Sequence, residues 1–392
     1  MPAISTNVTA AAGATLRTSD GRTVIDFSSG SFGYHHPGVL DAVSRQLRLL
    51  PQSTRMFLNR PLAQLVTALA AATPGALSVS YPCNSATEGV EGALKLALGY
   101  HRRSRRTALV ATFGSYHGNT RAARRLSRLD ASDAGTEPGA PIDVEFAAFG
   151  DAPAMRRAVA ARRPAAVVLE PIACGAGVAV PPPGYYTAVR EICDESGALL
   201  IVNETVTGLG RTGRPFAMDA ERVAPDILVL GAALGGNVIP VGAYVTTEEI
   251  NGRVYGRRGP WLHGSATGGS PIACAAATAV LTAMTDDGLP EHCRAVGGDI
   301  LAGLRQLRAD YPHLITDVTG VGQLAAVRLN DATVARTVVR HALDCGVIPW
   351  QGGVERGFVG IRPPLLCSAE EAEQGHACLQ KALAATAEES TV

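Results

Sequence analysis

Two stretches decide the fold: IVNETVTGLGRTG at residues 201–213 and PDILVLGAALGGN at residues 225–237. Each contains a short apolar run that ends in a glycine-rich turn. Buried parallel strands are near-continuous apolar runs of this kind, and glycine lets the backbone approach a ligand closely. A doubly wound sheet binds its ligands at the carboxyl ends of such strands. Asn203 and Ala232, which end or follow the two runs, are therefore predicted at a ligand-binding edge.

The preceding part of the chain repeats this pattern. AAVVLE at residues 165–170 and ALLIVNE at residues 198–204 are predicted to be buried strands, with a helical segment between them. Strands that alternate with helices are typical of an α/β fold with a doubly wound, mainly parallel sheet. Glu170 ends the first of these strands, so it is predicted at the same edge as Asn203 and Ala232.

The composition limits the classes of function. The chain has 392 residues, 46% of them hydrophobic, and a formal net charge of +0 from 35 basic and 35 acidic residues. This balance predicts neither a nucleic-acid nor an anionic-membrane partner. The N-terminal sequence lacks a basic segment followed by an apolar one, and no apolar run reaches the roughly 18 residues of a membrane span. We therefore expect a soluble cytoplasmic protein.

Cysteines and lysines add two further limits. The eight cysteines are scattered without a CxxC pair, which predicts neither a metal site nor a disulfide framework. Among the 35 basic residues only Lys95 and Lys381 are lysines, and the rest are arginines. Any chemistry that needs a lysine amine therefore has only two residues to supply it.

The two stretches quoted first resemble segments of the class III (ω-type) aminotransferases, which belong to the pyridoxal-phosphate fold-type I. The family reads DEVQTGFGRTG in the first, where its aspartate holds the pyridine nitrogen. It reads PDI-x-x-x-G-K-x-L-G-G-G in the second, where its lysine carries the cofactor as a Schiff base. The resemblance places Asn203 at the aspartate and Ala232 at the lysine. It also places Thr205 at a valine beneath the ring, Val206 at a glutamine beside the ring hydroxyl, and Ala266 at a threonine on the phosphate.

Further motifs imply the rest of an inherited cofactor pocket. At NSATEGVEGALK, residues 84–95, the resemblance implies a helix N-terminus that cradles phosphate through Ser85, Ala86 and Thr87. By themselves the same residues favour a plain N-capped helix without a ligand, and it is the flanking motif matches that favour the anion cradle. The family's match to SYHGN implies that Tyr116 stacks on the ring.

Two histidines, a threonine, a tyrosine and an arginine complete the predicted pocket. His117 follows the stacking tyrosine, and Thr267 is adjacent to Ala266. The loop GYHHP borders the substrate pocket in the family, so Tyr34 and His35 are candidate substrate-binding residues. IRPPLL resembles a strand whose arginine grips a substrate carboxylate, which implies that role for Arg362; a planar bidentate donor suits a carboxylate.

The resemblance extends from about residue 16 to residue 384 and predicts the domain organisation. An N-terminal arm and part of a small domain are expected in residues 1–50, with a hairpin at residues 16–27. A large cofactor-binding domain is expected in residues 51–284, and the remainder of a smaller α/β domain in residues 285–392. The resemblance also implies a homodimer with the active site at the interface between subunits.

The substitutions at the ring predict that nitrogen transfer is lost. Five positions around one ligand differ together, which favours natural divergence over an engineered change of the lysine alone. We expect no cofactor held as a Schiff base, with non-covalent pyridoxal or pyridoxamine phosphate left as an alternative. Losing a positioned proton-transfer group alone costs roughly 10²–10⁴-fold in rate.

Two classes of function remain open. The first is an enzyme of specialised biosynthesis that performs cyclisation, condensation, elimination or isomerisation on a carboxylate-bearing small molecule. Its candidate acid/base residues are His117, Glu170, Glu204 and His263, although each could equally be a structural hydrogen-bond partner. The second is a non-catalytic subunit that pairs with an active aminotransferase homologue.

Overall fold

The fold is described from a computed structural model of the chain, over residues 6–54, 57–128, 142–256, 259, 262–351 and 357–389. The strands are β1 (Val8–Ala12), β2 (Thr15–Thr18), β3 (Thr23–Phe27), β4 (Leu77–Cys83), β5 (Leu109–Thr112), β6 (Val144–Ala147), β7 (Ala166–Leu169), β8 (Leu199–Asn203), β9 (Ile227–Leu230), β10 (Gly242–Thr247), β11 (Ile315–Val321), β12 (Leu324–Leu329), β13 (Val347–Pro349) and β14 (Phe358–Ile361). The helices are α1 (Pro37–Leu49), α2 (Arg60–Ala72), α3 (Ala86–Tyr100), α4 (Arg121–Leu126), α5 (Ala152–Arg162), α6 (Tyr185–Ser196), α7 (Glu248–Val254), α8 (Pro271–Thr285), α9 (Leu289–Asp310), α10 (Ala332–Cys345) and α11 (Ala369–Glu389).

A seven-stranded sheet in the order β4-β10-β9-β8-β7-β5-β6 forms the centre of the molecule. Strands β6, β5, β7, β8 and β9 pair in parallel, and β10 runs antiparallel to both β9 and β4. Every residue of β5, β7, β8 and β9 is buried, because helices cover both faces. The predicted α/β fold with a mainly parallel sheet is confirmed.

Two smaller sheets combine sequence from both ends of the chain. The first has the order β1-β2-β3-β13, and β2 and β3 form the predicted hairpin. The second has the order β11-β12-β14. Their core joins N-terminal Ile25 and Phe27 to residues of α9, α10 and α11. The prediction of an N-terminal arm needs correction from residue 8 onward, because β1 pairs with β2 through its backbone and is a sheet strand.

Helix length and composition can be compared with what a bilayer requires. In the described part of the chain, no single helix is long and apolar enough to cross a membrane. The α8 and α9 helices meet that requirement only when taken together, and they are bent by 67° relative to each other. Both helices contribute buried residues to the protein core.

Candidate active site at the carboxyl edge of the sheet

The start of α3 forms one end of a cleft at the carboxyl edge of the central sheet. Ser85 has extended backbone and caps the helix, since its hydroxyl accepts a hydrogen bond from Glu88 N at 3.1 Å. Within the described residues, no protein acceptor bonds the N–H groups of Ala86 and Thr87. The first N–H groups of a helix together with its dipole attract anions. The predicted cradle residues therefore present two backbone donors at the helix N-terminus.

Glycines let this helix start lie directly against the sheet. A Cβ on Gly231, just after β9, would come within 2.3 Å of Ala86 Cβ. A Cβ on Gly242, at the start of β10, would come within 2.2 Å of the Ser85 carbonyl oxygen. Contacts this close exclude a side chain at either position. The backbone geometry of the sheet therefore fixes where the helix N-terminus sits.

A loop from the same chain packs on this end of the cleft. Asn84 donates its side-chain N–H to Ser265 Oγ at 2.6 Å, and Thr267 Oγ1 donates to Asn84 Oδ1 at 2.8 Å. Glu88 accepts a hydrogen bond from Asn84 N at 3.0 Å, so a carboxylate also stands beside this turn. The hydrogen bond to Asn84 therefore holds Thr267 next to the start of α3, where the predicted cradle residues lie.

Glu170 and Tyr116, which lies in the loop after β5, are in contact at this edge of the sheet. Glu170 follows β7, is 2% exposed, and accepts a hydrogen bond from Tyr116 N at 3.0 Å. Burial raises the pKa of Glu170 to about 8, against the opposing effects of the Tyr116 N–H and the positive charge of Arg362. The Tyr116 side chain is 38% exposed. At neutral pH the Glu170 carboxyl group is therefore largely protonated, and it is bonded to the backbone of a residue whose ring is exposed.

Asn203, at the end of β8, has a hydrogen-bond partner for every donor and acceptor of its amide. Its N–H groups point to His117 Nδ1 at 3.2 Å and to the Tyr116 carbonyl at 3.5 Å. Its oxygen accepts from Thr205 N at 3.2 Å and from the Thr205 hydroxyl. An asparagine amide has two N–H donors and two lone pairs, so this one has none left for a ligand.

His117 is a neutral, buried partner of this amide. Burial lowers its pKa to about 4. Because Asn203 donates to Nδ1, the ring proton belongs on Nε2, which is buried and has no partner among the described residues. The His117 backbone N–H donates to Ser127 Oγ at 2.8 Å. The ring is therefore fixed in the wall of the cleft.

Ala232 stands two residues after β9 and starts a short 3₁₀ turn, Ala232–Gly235. It is exposed, and its φ of +46° lies in the left-handed region. The two lysines of the chain are elsewhere: Lys95 on α3 donates to the Leu262 carbonyl, and Lys381 is exposed on α11. Neither amine stands at Ala232.

Arg362 closes the side of the cleft that faces the small sheets. It follows β14, and its Nε and Nη2 donate to the Ser28 carbonyl at 3.2 and 2.8 Å. Its guanidinium carbon lies 4.9 Å from the ring centroid of Trp350. These contacts orient the guanidinium, and its charge acts on Glu170.

Four other predicted site residues make their contacts with groups other than Glu170. Tyr34 donates its hydroxyl to Asp26 at 3.1 Å, and the His35 ring bonds the Ala11 carbonyl of β1. Glu204 accepts hydrogen bonds from the Thr207 hydroxyl and from Met218 N, and burial raises its pKa to about 7. The fourth residue, His263, packs within a cluster of three tyrosines, which are Tyr81, Tyr244 and Tyr255.

Arg211, in the GLGRTG loop, is a site residue that the sequence motifs did not predict. It is 1% exposed and donates to the carbonyls of Gly30, Ser31, Pro363 and Gln323 at 2.7 to 3.2 Å. Burial lowers its pKa to about 10, so it remains charged at neutral pH. It positions the backbone on both sides of Arg362. An arginine flanked by glycine turns in a ligand-edge loop was the available signal.

These residues do not fit pyridoxal phosphate held as a Schiff base. Ala232 has no amine, and the amide of Asn203 is neutral and fully hydrogen-bonded. An aspartate or an arginine is the usual partner of the cofactor's pyridine nitrogen, and Asn203 has the charge of neither. The N–H groups at the start of α3 do fit a phosphate. In the described residues no group of three or more His, Cys, Asp or Glu side chains could hold a metal ion.

The chain is similar to one known protein family and to several solved structures. A family profile described as aminotransferase class-III matches residues 2–383. The ornithine aminotransferase of Toxoplasma gondii ME49 is 29% identical, covers 99% of this chain and 92% of its own, and has a TM-score of 0.89. A transaminase from the marine bacterium Virgibacillus is 23% identical with a TM-score of 0.90, over 98% of this chain and 94% of its own. An amine transaminase from an uncultivated Pseudomonas species, solved in its PLP-bound form, is 24% identical with a TM-score of 0.87, over 97% and 95%.

Proposed function

The chain belongs to the class-III aminotransferase family, and from that premise we propose that it catalyses proton transfer on a carboxylate-bearing small molecule without a Schiff-base cofactor. The supporting observation concerns Ala232 and Asn203, which form the end of the cleft where the family holds the pyridine ring; we call it the ring end. A methyl group stands at Ala232, and Asn203 has no hydrogen-bond capacity to spare. The family's nitrogen-transfer cycle needs an amine and a carboxylate at these positions.

Glu170 is the proposed proton-transfer group: its ionised form accepts the C–H proton, and its protonated form, after exchange with solvent, returns a proton to the same carbon. Its raised pKa of about 8 lies close to neutral pH, where both forms are present and acid–base catalysis is efficient. Arg362 is the proposed carboxylate clamp, because an arginine fork binds two carboxylate oxygens at once. Tyr116 offers an exposed ring against which a planar substrate can lie. His117 and Asn203 hold this wall in place and touch no substrate in the proposal.

Hydrogen exchange tests this proposal on many compounds in parallel. The protein is incubated in D₂O with a panel of 2-oxo acids, amino acids and dicarboxylic acids. Loss of the C–H proton next to the keto group of the oxo acids, or next to the carboxylate of the other compounds, is followed by NMR. We expect catalysed exchange for at least one compound. Glu170→Gln should abolish that exchange, and Arg362→Lys should raise KM more than it lowers kcat.

The control variant is Arg17→Ala, which removes an exposed charge from β2. It should leave the exchange unchanged. Amine transfer between an amino acid and a 2-oxo acid in the presence of pyridoxal phosphate, with a lysine found modified after borohydride reduction, would overturn the proposal.

An exposed apolar face supports a second proposal about assembly. Leu49, Leu50, Phe57 and Leu58, at and after the end of α1, are 82%, 40%, 74% and 90% exposed. Grouped large apolar side chains mark protein interfaces. We propose that a second copy of the chain covers this face.

Light scattering of the pure protein distinguishes the two kinds of partner. A stable homodimer that Leu49→Asp with Leu58→Asp converts to a monomer is the expected result. A pure chain that stays monomeric and dimerises only with an active aminotransferase homologue would support the non-catalytic subunit in place of the enzyme.

A further inference from the structure

A cavity of about 690 Å³ lies between the end of α3 and the end of α7. It is lined by none of the residues assigned above to the candidate active site. Its walls come from α3 and the turn that follows, and from the last turn of α7 with Tyr255. Small-molecule sites in proteins are concave and measure about 300–1,000 Å³. The cavity therefore has the size of a ligand site.

The lining of this cavity is cationic. Lys95, Arg102, Arg103 and Arg253 line it, and among its described lining residues there is no carboxylate. Across the described residues, none of the four forms an ion pair with an acidic side chain. The formal net charge of the whole chain is +0, so these four residues are a local excess of positive charge. Like charges gathered in a concave surface repel one another and concentrate anions.

Two of the four cations are held in place by the protein. The Arg253 guanidinium lies 4.1 Å from the ring centroid of Tyr100, which is a cation–π contact. The Lys95 amine donates to the Leu262 carbonyl. Nearby His101 has its pKa lowered to about 4, first by burial and then by the positive charges of Arg106 and Arg253. The positive field therefore extends into the protein and is not confined to solvent.

We propose that this cavity binds a small molecule that carries two or more linked phosphate groups. Arg102, Arg103 and Arg253 contact the phosphate oxygens, since the guanidinium fork matches phosphate geometry. Several cations in a space of this size match the charge of linked phosphates better than that of a single carboxylate. The phosphates belong either to an inorganic polyphosphate ion or to a nucleotide.

Calorimetric titration of the intact protein with pyrophosphate, ATP and monophosphate tests this site. We expect both pyrophosphate and ATP to bind, and to bind more weakly as salt rises. Equal affinity for the two would assign recognition to the phosphates alone, and tighter binding of ATP would assign it to a nucleotide. Equal affinity for monophosphate would overturn the requirement for linked phosphates.

Paired variants locate the binding. Arg102→Ala with Arg103→Ala should weaken pyrophosphate binding about ten- to hundred-fold, because each charge-assisted contact is lost. Arg17→Ala with Arg336→Ala removes two exposed charges from β2 and α10 and should change nothing. All four arginines are exposed, so both variants fold. No pyrophosphate binding, an equal loss in the control pair, or preferential binding of RNA would overturn the proposal.

Discussion

The two ends of the cleft are built in different ways. The phosphate end consists of backbone N–H groups at Ala86 and Thr87, and Gly231 and Gly242 set that helix start against the sheet. The other end, the ring end, consists of side chains, among them the amide of Asn203, which the motif resemblance aligns with the family's aspartate. A site made of backbone persists as long as the fold does. A site made of side chains can change through single substitutions while the fold remains.

Restoring the ring end is the change from which we expect the largest effect. Ala232→Lys with Asn203→Asp supplies an amine and a carboxylate where the family has them. Ala232 already has a left-handed backbone with a side chain, so a lysine there adds no new strain. We expect about one pyridoxyl group per chain by mass spectrometry after pyridoxal phosphate and borohydride, and none in the parent protein.

Asn203→Asp alone is the matched control, and it should give no covalent adduct because the amine is still missing. Specific modification of Lys95 or Lys381 in the folded parent chain would break the comparison, since an amine would then reach the cleft after all.

The pH dependence of stability gives the next largest effect. The pKa of Glu170 is raised from 4.5 to about 8, so its contribution to stability is fully present below pH 4.5 and is lost as the pH rises toward 8. Glu170→Gln remains neutral and still offers an oxygen to the Tyr116 N–H. Urea unfolding from pH 4.5 to 8 should show a flatter curve for the variant, by on the order of 4 kcal/mol.

A variant at Glu204 is the control that distinguishes the effect of Glu170 on the pH dependence of stability from that of any buried carboxyl group. Its pKa is raised to about 7, and it lies under the 217–220 turn, outside the cleft. Glu204→Gln should flatten the curve only up to about pH 7. Parallel curves for the parent and the Glu170→Gln variant would mean that Glu170 is ionised in the folded protein.

A single carboxylate at the ring end should move the titration of His117. Asn203→Asp puts a negative charge beside His117 Nδ1, where the amide nitrogen now lies at 3.2 Å. An opposite charge at this distance favours the protonated ring, so the pKa of about 4 should rise by about 1–3 units. NMR titration of the imidazole measures it. His101, with its pKa also near 4, is the internal control and should not move.

The fold, and the meeting of Glu170, Asn203 and Ala232 at one edge of the sheet, could be predicted because both follow from local patterns. The fully buried strands β7, β8 and β9 are continuous apolar runs, and the carboxyl ends of parallel neighbours share one edge. The direction of Glu204 follows from the same geometry, since consecutive strand residues point to opposite faces and Asn203 faces the cleft. That alternation was the available signal against Glu204 as a site residue.

Arg211 could not be predicted in the same way. The carbonyls that it binds belong to residues 30, 31, 323 and 363, which are far apart in the chain. No local periodicity contains such a set of contacts. The complete hydrogen bonding of the Asn203 amide could not be predicted for the same reason. Its partners are Thr205 on its own loop and Tyr116 and His117 on a loop far away in the chain.

The phosphate end provides the smallest predicted effect, and it tests whether backbone alone makes an anion site there. Ser85→Ala removes the cap on Glu88 N and should cost about 1 kcal/mol of unfolding free energy. Asp151→Ala removes the corresponding cap of α5, on Ala154 N at 2.8 Å, and is the matched control.

Phosphate at a concentration equal to its Kd should stabilise the protein by about 0.4 kcal/mol. If the Ala86 and Thr87 N–H groups bind the ion, that increment survives in both variants. Both variants are made in a protein that also carries Arg102→Ala and Arg103→Ala, so that phosphate binding in the basic cavity cannot produce the stabilisation. If phosphate does not stabilise this protein, the start of α3 is an ordinary N-cap and not an anion site.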